Sequence, residues 1–496
     1  MDAFWSLLSG FGVALRPANL LFALVGSVIG TAVGVLPGIG PIAGIAILLP
    51  LSFHLDATGA IIMLAAIYYG AMYGGTITTV LMRVPGEAAS AVTAIDGYEM
   101  AKQGRAGAAL AIAAVGSFIG GTIATMVLVA AAPPLARVAL SFGPPEFFAL
   151  MVLGLTLVVG LSGDSLVTGL LSALVGLGLS VPGTDLVDGT PRLTFGSANL
   201  LDGINFVPVI MGLYGIGEIL ANLDARAVAV GTAPIHSTML TRQDLADSAL
   251  PIARGTVIGI LLGLIPGIGT ILPTIASYAV EKRVSRHPQR FGKGAIEGVA
   301  GPEATNNAYA NGALIPLFTL GVPASPTIAV LLGAFMMNGL TPGPFLFKER
   351  PDFVWAVIAS LYVGNVILLV LNLPLVGLWV KLLRVPYSIL FPLVLAFTAV
   401  GAYVTRNSLF DVGVLIVFGF LGYVCKKIDF PVAPMAFTLI LGPLTEKALR
   451  QALSMSGGDL AILTRSYLAT GLLTVSALVL LSPLLSRLWR PVSPRR

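Results

Sequence analysis

The chain has 496 residues, of which 56% are hydrophobic and 10% charged, with a net charge of +5. That is more apolar surface than one water-soluble core can bury, so the composition excludes a soluble globular protein and places the chain in a membrane. Its 28 Lys and Arg are scattered between apolar runs rather than gathered on one face, which excludes a nucleic-acid-binding footprint.

In chain order, residues 1–17, MDAFWSLLSGFGVALRP, lack the basic opening, short apolar run and small-residue cleavage site of a secretory signal. They are read as an N-terminal interfacial segment with Trp5 and Phe11 at the headgroups. Residues 18–140 form a first repeat. It opens on an apolar run, 18–36, and meets GVLPGIGP, whose Pro-Gly motif lies at 36–41. It then continues through PIAGIAILLPLSF and the Gly-rich helix GAIIMLAAIYYGAMYGGTITTVLM to a helix break at 84–86, Val84-Pro85-Gly86. Residues 141–250 are read as connecting helices and loop. Residues 251–380 form a second repeat in the same order: a Pro-Gly motif at 265–273, then TILPTIASYAV, the helix EATNNAYANGALIPLFTL with Gly301 before it and Pro302 in its first turn, and a break at 322–324. Residues 381–496 are C-terminal membrane helices and a basic tail. A spanning helix needs roughly 20 apolar residues, and 18–36, 107–132, 147–162, 353–380 and 463–486 approach or pass that length.

Loop charge orients these pieces. Lys282, Arg283, Arg286, Arg290 and Lys293 fall within EKRVSRHPQRFGK, and an excess of Lys and Arg marks the cytoplasmic side. The matching loop of the first repeat, SFHLDATG, has neither, so the two loops are expected on opposite sides. Lys102 and Arg105 after the first break, and Lys348 and Arg350 after the second, argue the other way. Arg487, Arg490, Arg495 and Arg496 put the C-terminus in the cytoplasm. The expected fold is an all-α polytopic membrane protein of about 10–12 transmembrane helices, with re-entrant or broken helices in two inverted repeats.

Enzyme motifs are absent. The run GIGPIAG superficially resembles a nucleotide loop, but no strand–helix context surrounds it and no Lys-Ser/Thr follows. His54, His236 and His287 are isolated and lack metal-ligand spacing, and the single cysteine, Cys425, excludes an intramolecular disulfide. The chain is not read as an enzyme.

Proline and glycine inside an apolar run break the backbone ladder, and the freed amides and carbonyls need partners in hydrocarbon. Pro37, Gly38 and Gly40, with Pro266, Gly267 and Gly269, are therefore candidates for binding an ion or a carboxylate, against the plainer reading of two packing kinks. On the helix before the second break, Glu303, Asn307 and Asn311 are spaced four apart and share one face, with Asn306 beside it. Such a polar stripe faces protein, water or ligand, and Asn–helix hydrogen bonding without substrate is its plainer reading. Sodium sites are expected near Gly38, Gly40, Gly267, Gly269, Asn306 and Asn307. Thr76, Thr79, Ser90 and Ser325 are lesser candidates, and Arg83 with Glu87 flanks the first tip as an ion pair or a substrate contact. Gly70 and Gly74 read as a close-packing pair.

Four stretches resemble the large membrane permease subunit (TctA family) of bacterial tripartite tricarboxylate transporters: GVLPGIGPIAGIAILLPLSF, YYGAMYGGTITTVLMRVPGEAASAVTAIDGYEMAKQG, GLIPGIGTILPTIASYAVEKR, and FGKGAIEGVAGPEATNNAYANGALIPLFTLGVPASPTIAVLLGAFMMNGLTPGP. The resemblance implies a multi-pass permease of the bacterial inner membrane that imports di- or tricarboxylates or related organic acids. It implies two partners, a small membrane subunit of about four helices and a periplasmic solute-binding protein, with a sodium ion or proton as coupling ion and no other cofactor. The paired hairpin tips further resemble elevator-type carriers, by analogy. A stand-alone ion-coupled carrier, and further off a membrane scaffold or enzyme, are the other readings.

Overall fold

The computed structural model describes residues 3–36, 40–52, 54–161, 165–185, 188–224, 238–383 and 387–488. Helices α1 (Ala3–Ala14), α2 (Pro17–Val35), α3 (Gly40–Ser52), α4 (Ala57–Met82), α5 (Ala94–Lys102) and α6 (Ala106–Ala139) come first. Next are α7 (Pro144–Leu161), α8 (Leu166–Ser180), and a two-residue antiparallel hairpin of β1 (Gly183–Thr184) and β2 (Pro191–Arg192). They are followed by α9 (Phe206–Ile210), α10 (Gly217–Asp224), α11 (Arg242–Gly263), α12 (Ile271–Val284), α13 (Glu297–Gly312), α14 (Leu314–Leu320), α15 (Pro326–Met337) and α16 (Pro344–Glu349). The last are α17 (Pro351–Asn372), α18 (Val376–Leu382), α19 (Tyr387–Arg406), α20 (Leu409–Lys427), α21 (Ala433–Met455), α22 (Ile462–Arg465) and α23 (Tyr467–Leu488). The protein is an all-α polytopic membrane protein. Among the described residues six helices, α2, α4, α6, α11, α17 and α20, are long and apolar enough to cross a membrane, and further apolar helices are shorter.

The chain divides into two units, residues 1–139 with 207–426, and residues 140–206 with 427–496. In the first, small residues set the helix spacing. Gly26, Gly30 and Gly34 on α2 lie against the carbonyl oxygens of Met63, Ile67 and Ala71 on α4, and a Cβ at any of the three would come within 3.0 Å. The same ladder recurs on α11, where Gly255, Gly259 and Gly263 lie against the carbonyls of Gly301, Thr305 and Tyr309 on α13. Each glycine sits 229 residues after its counterpart and each facing residue 238 after its own. Most of the nine-residue difference falls in the connection to the facing helix, 53–56 in one case and 285–296, the basic loop, in the other. Without side chains at these positions backbones approach closely, the packing mode available where lipid removes the hydrophobic drive between helices. Gly70 and Gly74 serve the same α2–α4 contact from the other side, against Ser27 and Thr31.

The basic loop is tied down by a buried acid. Asp96 on α5 is fully buried and accepts the backbone N–H groups of Gly292, Gly294 and Ala295 on one oxygen, each at 2.8 Å, and the Tyr278 hydroxyl on the other at 2.8 Å. Glu281, also buried, pairs with Arg254 at 2.5 Å, and Asp244 pairs with Arg105 while closing a capping box with Thr241 at the start of α11.

Three local expectations change. The polar helix begins at Glu297, so Pro302 lies inside α13 rather than in its first turn. The loop held by Asp96 delivers the chain in helical conformation a turn and a half early, leaving Pro302 to omit one amide bond in a fully buried stretch. The same helix also ends at Gly312, and α14 restarts before Pro316, which cannot donate back to the Gly312 carbonyl. The apolar run 353–380 likewise divides between α17 and α18.

In the second unit Ser172 on α8 donates to the Pro431 carbonyl and accepts from the Met435 amide, and Gly176 lies against the Met435 carbonyl. Beside the hairpin, Asp185, Arg192, Glu446 and Arg450 form an ion-pair network with separations of 2.7 to 3.3 Å.

Candidate functional site

Two tips converge on the centre of the first unit. At the first, α4 ends and Arg83 adopts a left-handed conformation (φ 58°), after which Val84-Pro85-Gly86 turns the chain into a 3-10 segment, Ala88–Thr93. At the second, α14 ends at the left-handed Gly321 (φ 70°), and Val322-Pro323-Ala324 leads to Ser325 and α15. Arg83 and Gly321 stand 238 residues apart, the spacing of the helix residues before them. Proline fixes its own φ and disfavours helix in the residue before it, so both chains must leave the helix here.

Each tip rests on the Pro-Gly motif region of its own half. Gly86 packs against the Gly34 carbonyl at the end of α2, leaving no room for a side chain. In the other half the Gly267 amide donates to the Ala324 carbonyl at 3.0 Å, and the Tyr309 hydroxyl donates to the same oxygen at 3.1 Å. Gly267 and Gly269 are left-handed (φ 81° and 72°), and Pro266 between them and α11 is half-buried. Gly40, also left-handed (φ 66°), opens α3, whereas Pro37 and Gly38 lie outside the described residues, as does His236.

The tips also reach across. Glu87, buried in the first tip, accepts from the Asn306 amide of α13 at 3.2 Å, and the buried Tyr68 hydroxyl of α4 has Ser325 of the second tip among its neighbours. Tyr68 and Asn306 are 238 residues apart, as are Glu87 and Ser325, so the two contacts exchange under one operation. Such reciprocity is the mark of a two-fold relation.

The polar stripe of α13 is buried throughout: Glu303, Asn306, Asn307 and Asn311 are each at most 5% exposed. Glu303 takes the Thr76 hydroxyl on one oxygen at 2.7 Å and the Thr93 hydroxyl on the other at 2.5 Å. Asn307 donates to Ser117 on α6 at 2.7 Å, and Asn311 to the Gly121 carbonyl at 3.1 Å. Among the described residues neither Glu303 nor Glu87 has a cationic partner. Tyr73, Thr76, Ile77, Ser117 and Asn372 help line a small cavity beside this stripe.

The remaining candidates are used locally. Thr79 donates to the Gly75 carbonyl and lies 2.8 Å from Ser90, whose hydroxyl also meets the Glu87 carbonyl at 2.8 Å. Ser325 caps α15 by accepting the Ile328 amide at 3.3 Å. Arg83 is exposed and sits over the Tyr98 ring, 5.8 Å from its centroid, so it makes no ion pair with the buried Glu87. Sequence reasoning passed over Tyr68, Thr93, Ser117 and Tyr309. Tyr68, Ser117 and Tyr309 carried a signal, a hydroxyl inside an otherwise apolar or small-residue run.

Comparison with known proteins follows the same lines. An Agrobacterium vitis protein of 52.8 kDa, described by its place in the TAR-I ttuC′ 3′ region, is 48% identical over 476 residues, covering 96% of this chain and 95% of the relative. A shorter Agrobacterium vitis protein, from the TAR-II ttuC′ 3′ region, is 47% identical over 227 residues, 46% of this chain and 94% of its own. No solved structure matches. The model of the tripartite tricarboxylate transporter TctA family matches residues 20–437, and the chain belongs to that family.

Proposed function

We propose that this chain is the large permease subunit of a secondary transporter that imports di- or tricarboxylates or related organic acids across the bacterial inner membrane. A periplasmic solute-binding protein delivers the substrate, a small membrane subunit completes the permease, and a sodium or proton gradient drives uptake. Family membership supports the transport class. The observation that carries the mechanism is the hydrogen bond from Asn306 of α13 to Glu87 of the first tip, with Tyr68 of α4 beside Ser325 of the second tip at the matching position.

In this reading, α2 to α6 and α11 to α17 are two copies of one unit, related by a two-fold axis in the membrane plane. The basic loop at 282–293 and the C-terminus lie in the cytoplasm, and the loop around His54 faces the periplasm. Broken helices meeting at a repeat interface are the recurrent plan for alternating access, and the tips are the parts free to change partners. Glu303, Asn306, Asn307 and Asn311 supply the polar face, Thr76, Thr79, Ser90 and Ser325 line its approach, and the Pro37-Gly38-Gly40 and Pro266-Gly267-Gly269 breaks supply backbone groups to ion or carboxylate.

The test is uptake of a labelled carboxylate panel into proteoliposomes holding this chain, its small partner and a cognate binding protein, with sodium and proton gradients imposed separately. Accumulation driven by one gradient and dependent on the binding protein is the expected result. Equal uptake by the chain alone would replace this reading with a stand-alone carrier, and no uptake under either gradient would remove the transporter reading.

A further inference from the structure

The geometry points to a seat for one small, hard, monovalent cation between the first tip and α13, built from the Glu87 carboxylate, the Asn306 side-chain carbonyl and the Tyr68 hydroxyl, whose occupant holds the tip closed. Two buried oxygens and one uncompensated charge carry it. Asn306 is 1% exposed, and its Oδ1 has no hydrogen-bond partner although its Nδ2 is engaged by Glu87. Tyr68 is also 1% exposed, and its hydroxyl lies among Ser325, Glu87 and Tyr309 without a hydrogen bond of good geometry to any of them. Two buried oxygens beside a buried carboxylate are costly as they stand, since each lacks the partner that water would have given it.

The charge balance states what is missing. Glu87 and Glu303 repel one another, and no Lys, Arg or His among the described residues pairs with either. Glu303 already uses both oxygens on the Thr76 and Thr93 hydroxyls. Glu87 accepts from Asn306 and from the tip amides of Ala89 and Ser90, which leaves it acceptor capacity beyond these three bonds. One carboxylate therefore remains to be neutralised, which calls for a single positive charge. The donor set is all oxygen, suited to a hard cation and unsuited to soft metals. A proton and an alkali ion share this chemistry. A proton would sit between Glu87 and Asn306 Oδ1 as an acid–amide pair, and an alkali ion would add the Tyr68 oxygen.

Occupancy also has a mechanical consequence. Glu87 belongs to the tip after α4, Asn306 to α13 on the other half, so an occupant stitches the two together, and its loss leaves two carboxylates facing each other across the joint. The matching position of the second tip is Ser325, which carries no charge, so only the first tip would be gated this way. The other titratable groups facing the seat are Glu303 and Tyr309 from α13, with Tyr73 of α4 beyond Glu303.

This inference rests on the carrier reading for its purpose but not for its test, which measures binding without transport. The full chain, purified in detergent, is unfolded by heat while choline is replaced by sodium at constant ionic strength, and again across a pH series without sodium. We expect a saturable rise of about 3 °C with one of the two, because a ligand bound only by the folded state stabilises it. Glu87→Gln, nearly the same shape, should abolish that response, while Glu349→Gln, on an exposed carboxylate, should retain it. A sodium response lost in Glu87→Gln identifies an alkali ion. A response to acid alone, lost in the same variant, identifies a proton. A response of wild-type size in Glu87→Gln, or none in the wild type under either condition, overturns the proposal. Should Glu87→Gln fail to fold, Asn306→Ala decides: half-saturation raised at least about tenfold supports the seat, and an unchanged value overturns it. Carboxylate uptake without any Glu87-dependent response would sink this seat and leave the carrier reading standing; the response without uptake would do the reverse.

Discussion

Glu303→Gln is expected to cut the initial rate of carboxylate uptake at least about tenfold, roughly 1.4 kcal/mol of lost barrier lowering, while the chain stays folded. The side chain is 1% exposed and both its oxygens are occupied, by Thr76 of α4 and Thr93 of the first tip. Glutamine keeps the shape and one acceptor but removes the charge, so it separates electrostatics from packing. Glu303→Ala differs: both threonine hydroxyls lose their acceptor in a buried site, at about 1–3 kcal/mol each, and a cavity is added. The alanine variant should therefore lose stability as well as uptake. The two readouts, uptake rate and unfolding temperature, are to be taken on the same preparation. Normal uptake by the glutamine variant would show that Glu303 only ties α13 to the first tip.

The second large effect is a reversal of sign among glycines. In an ordinary helix Gly→Ala is stabilising by roughly 0.5–1 kcal/mol. That gain is expected at Gly413 on α20, where an added Cβ meets nothing within 4 Å. Gly30→Ala and Gly259→Ala should instead be destabilising by about 3 kcal/mol or more, because the new Cβ runs into the carbonyl oxygen of Ile67 or Thr305, rigid backbone that a rotamer change cannot move aside. Thermal unfolding in detergent checks both signs. Equal effects at Gly30 and Gly259 are expected from the matched ladders; a gain in stability at either would contradict the close approach of those helices.

Much of this fold is written in local chemistry. Composition gives the membrane class, and apolar length locates helices near their bounds, as at Pro17–Val35 for the run 18–36 and Pro144–Leu161 for 147–162. Proline marks the departures from helix at 84–86 and 322–324 because it acts through its own backbone, whatever the surroundings. Pro302 is the instructive exception. A first-turn proline and an internal one look alike in sequence, and the choice is made by Asp96, two hundred residues away, which shapes the loop that feeds α13. The candidate site divides the same way. The shared face of Glu303, Asn307 and Asn311 follows from helical spacing, but its partners, Thr76, Thr93, Ser117 and Gly121, come from three other segments. Ser90 and Ser325 look alike in sequence as tip hydroxyls, yet each is spent on its own turn. Glu87, flanked by an arginine in sequence, is paired instead with an asparagine 219 residues on, because the turn at Arg83 sends the two side chains apart.

In the proposed arrangement, two copies of one unit lie in opposite senses across the membrane. Single cysteines at His54 and His287, both exposed in their loops, test it directly in a chain whose buried Cys425 has been replaced by alanine. Labelling in intact cells with a membrane-impermeant maleimide should modify His54→Cys and spare His287→Cys until the membrane is opened. Modification of both from the same side would contradict the inverted arrangement.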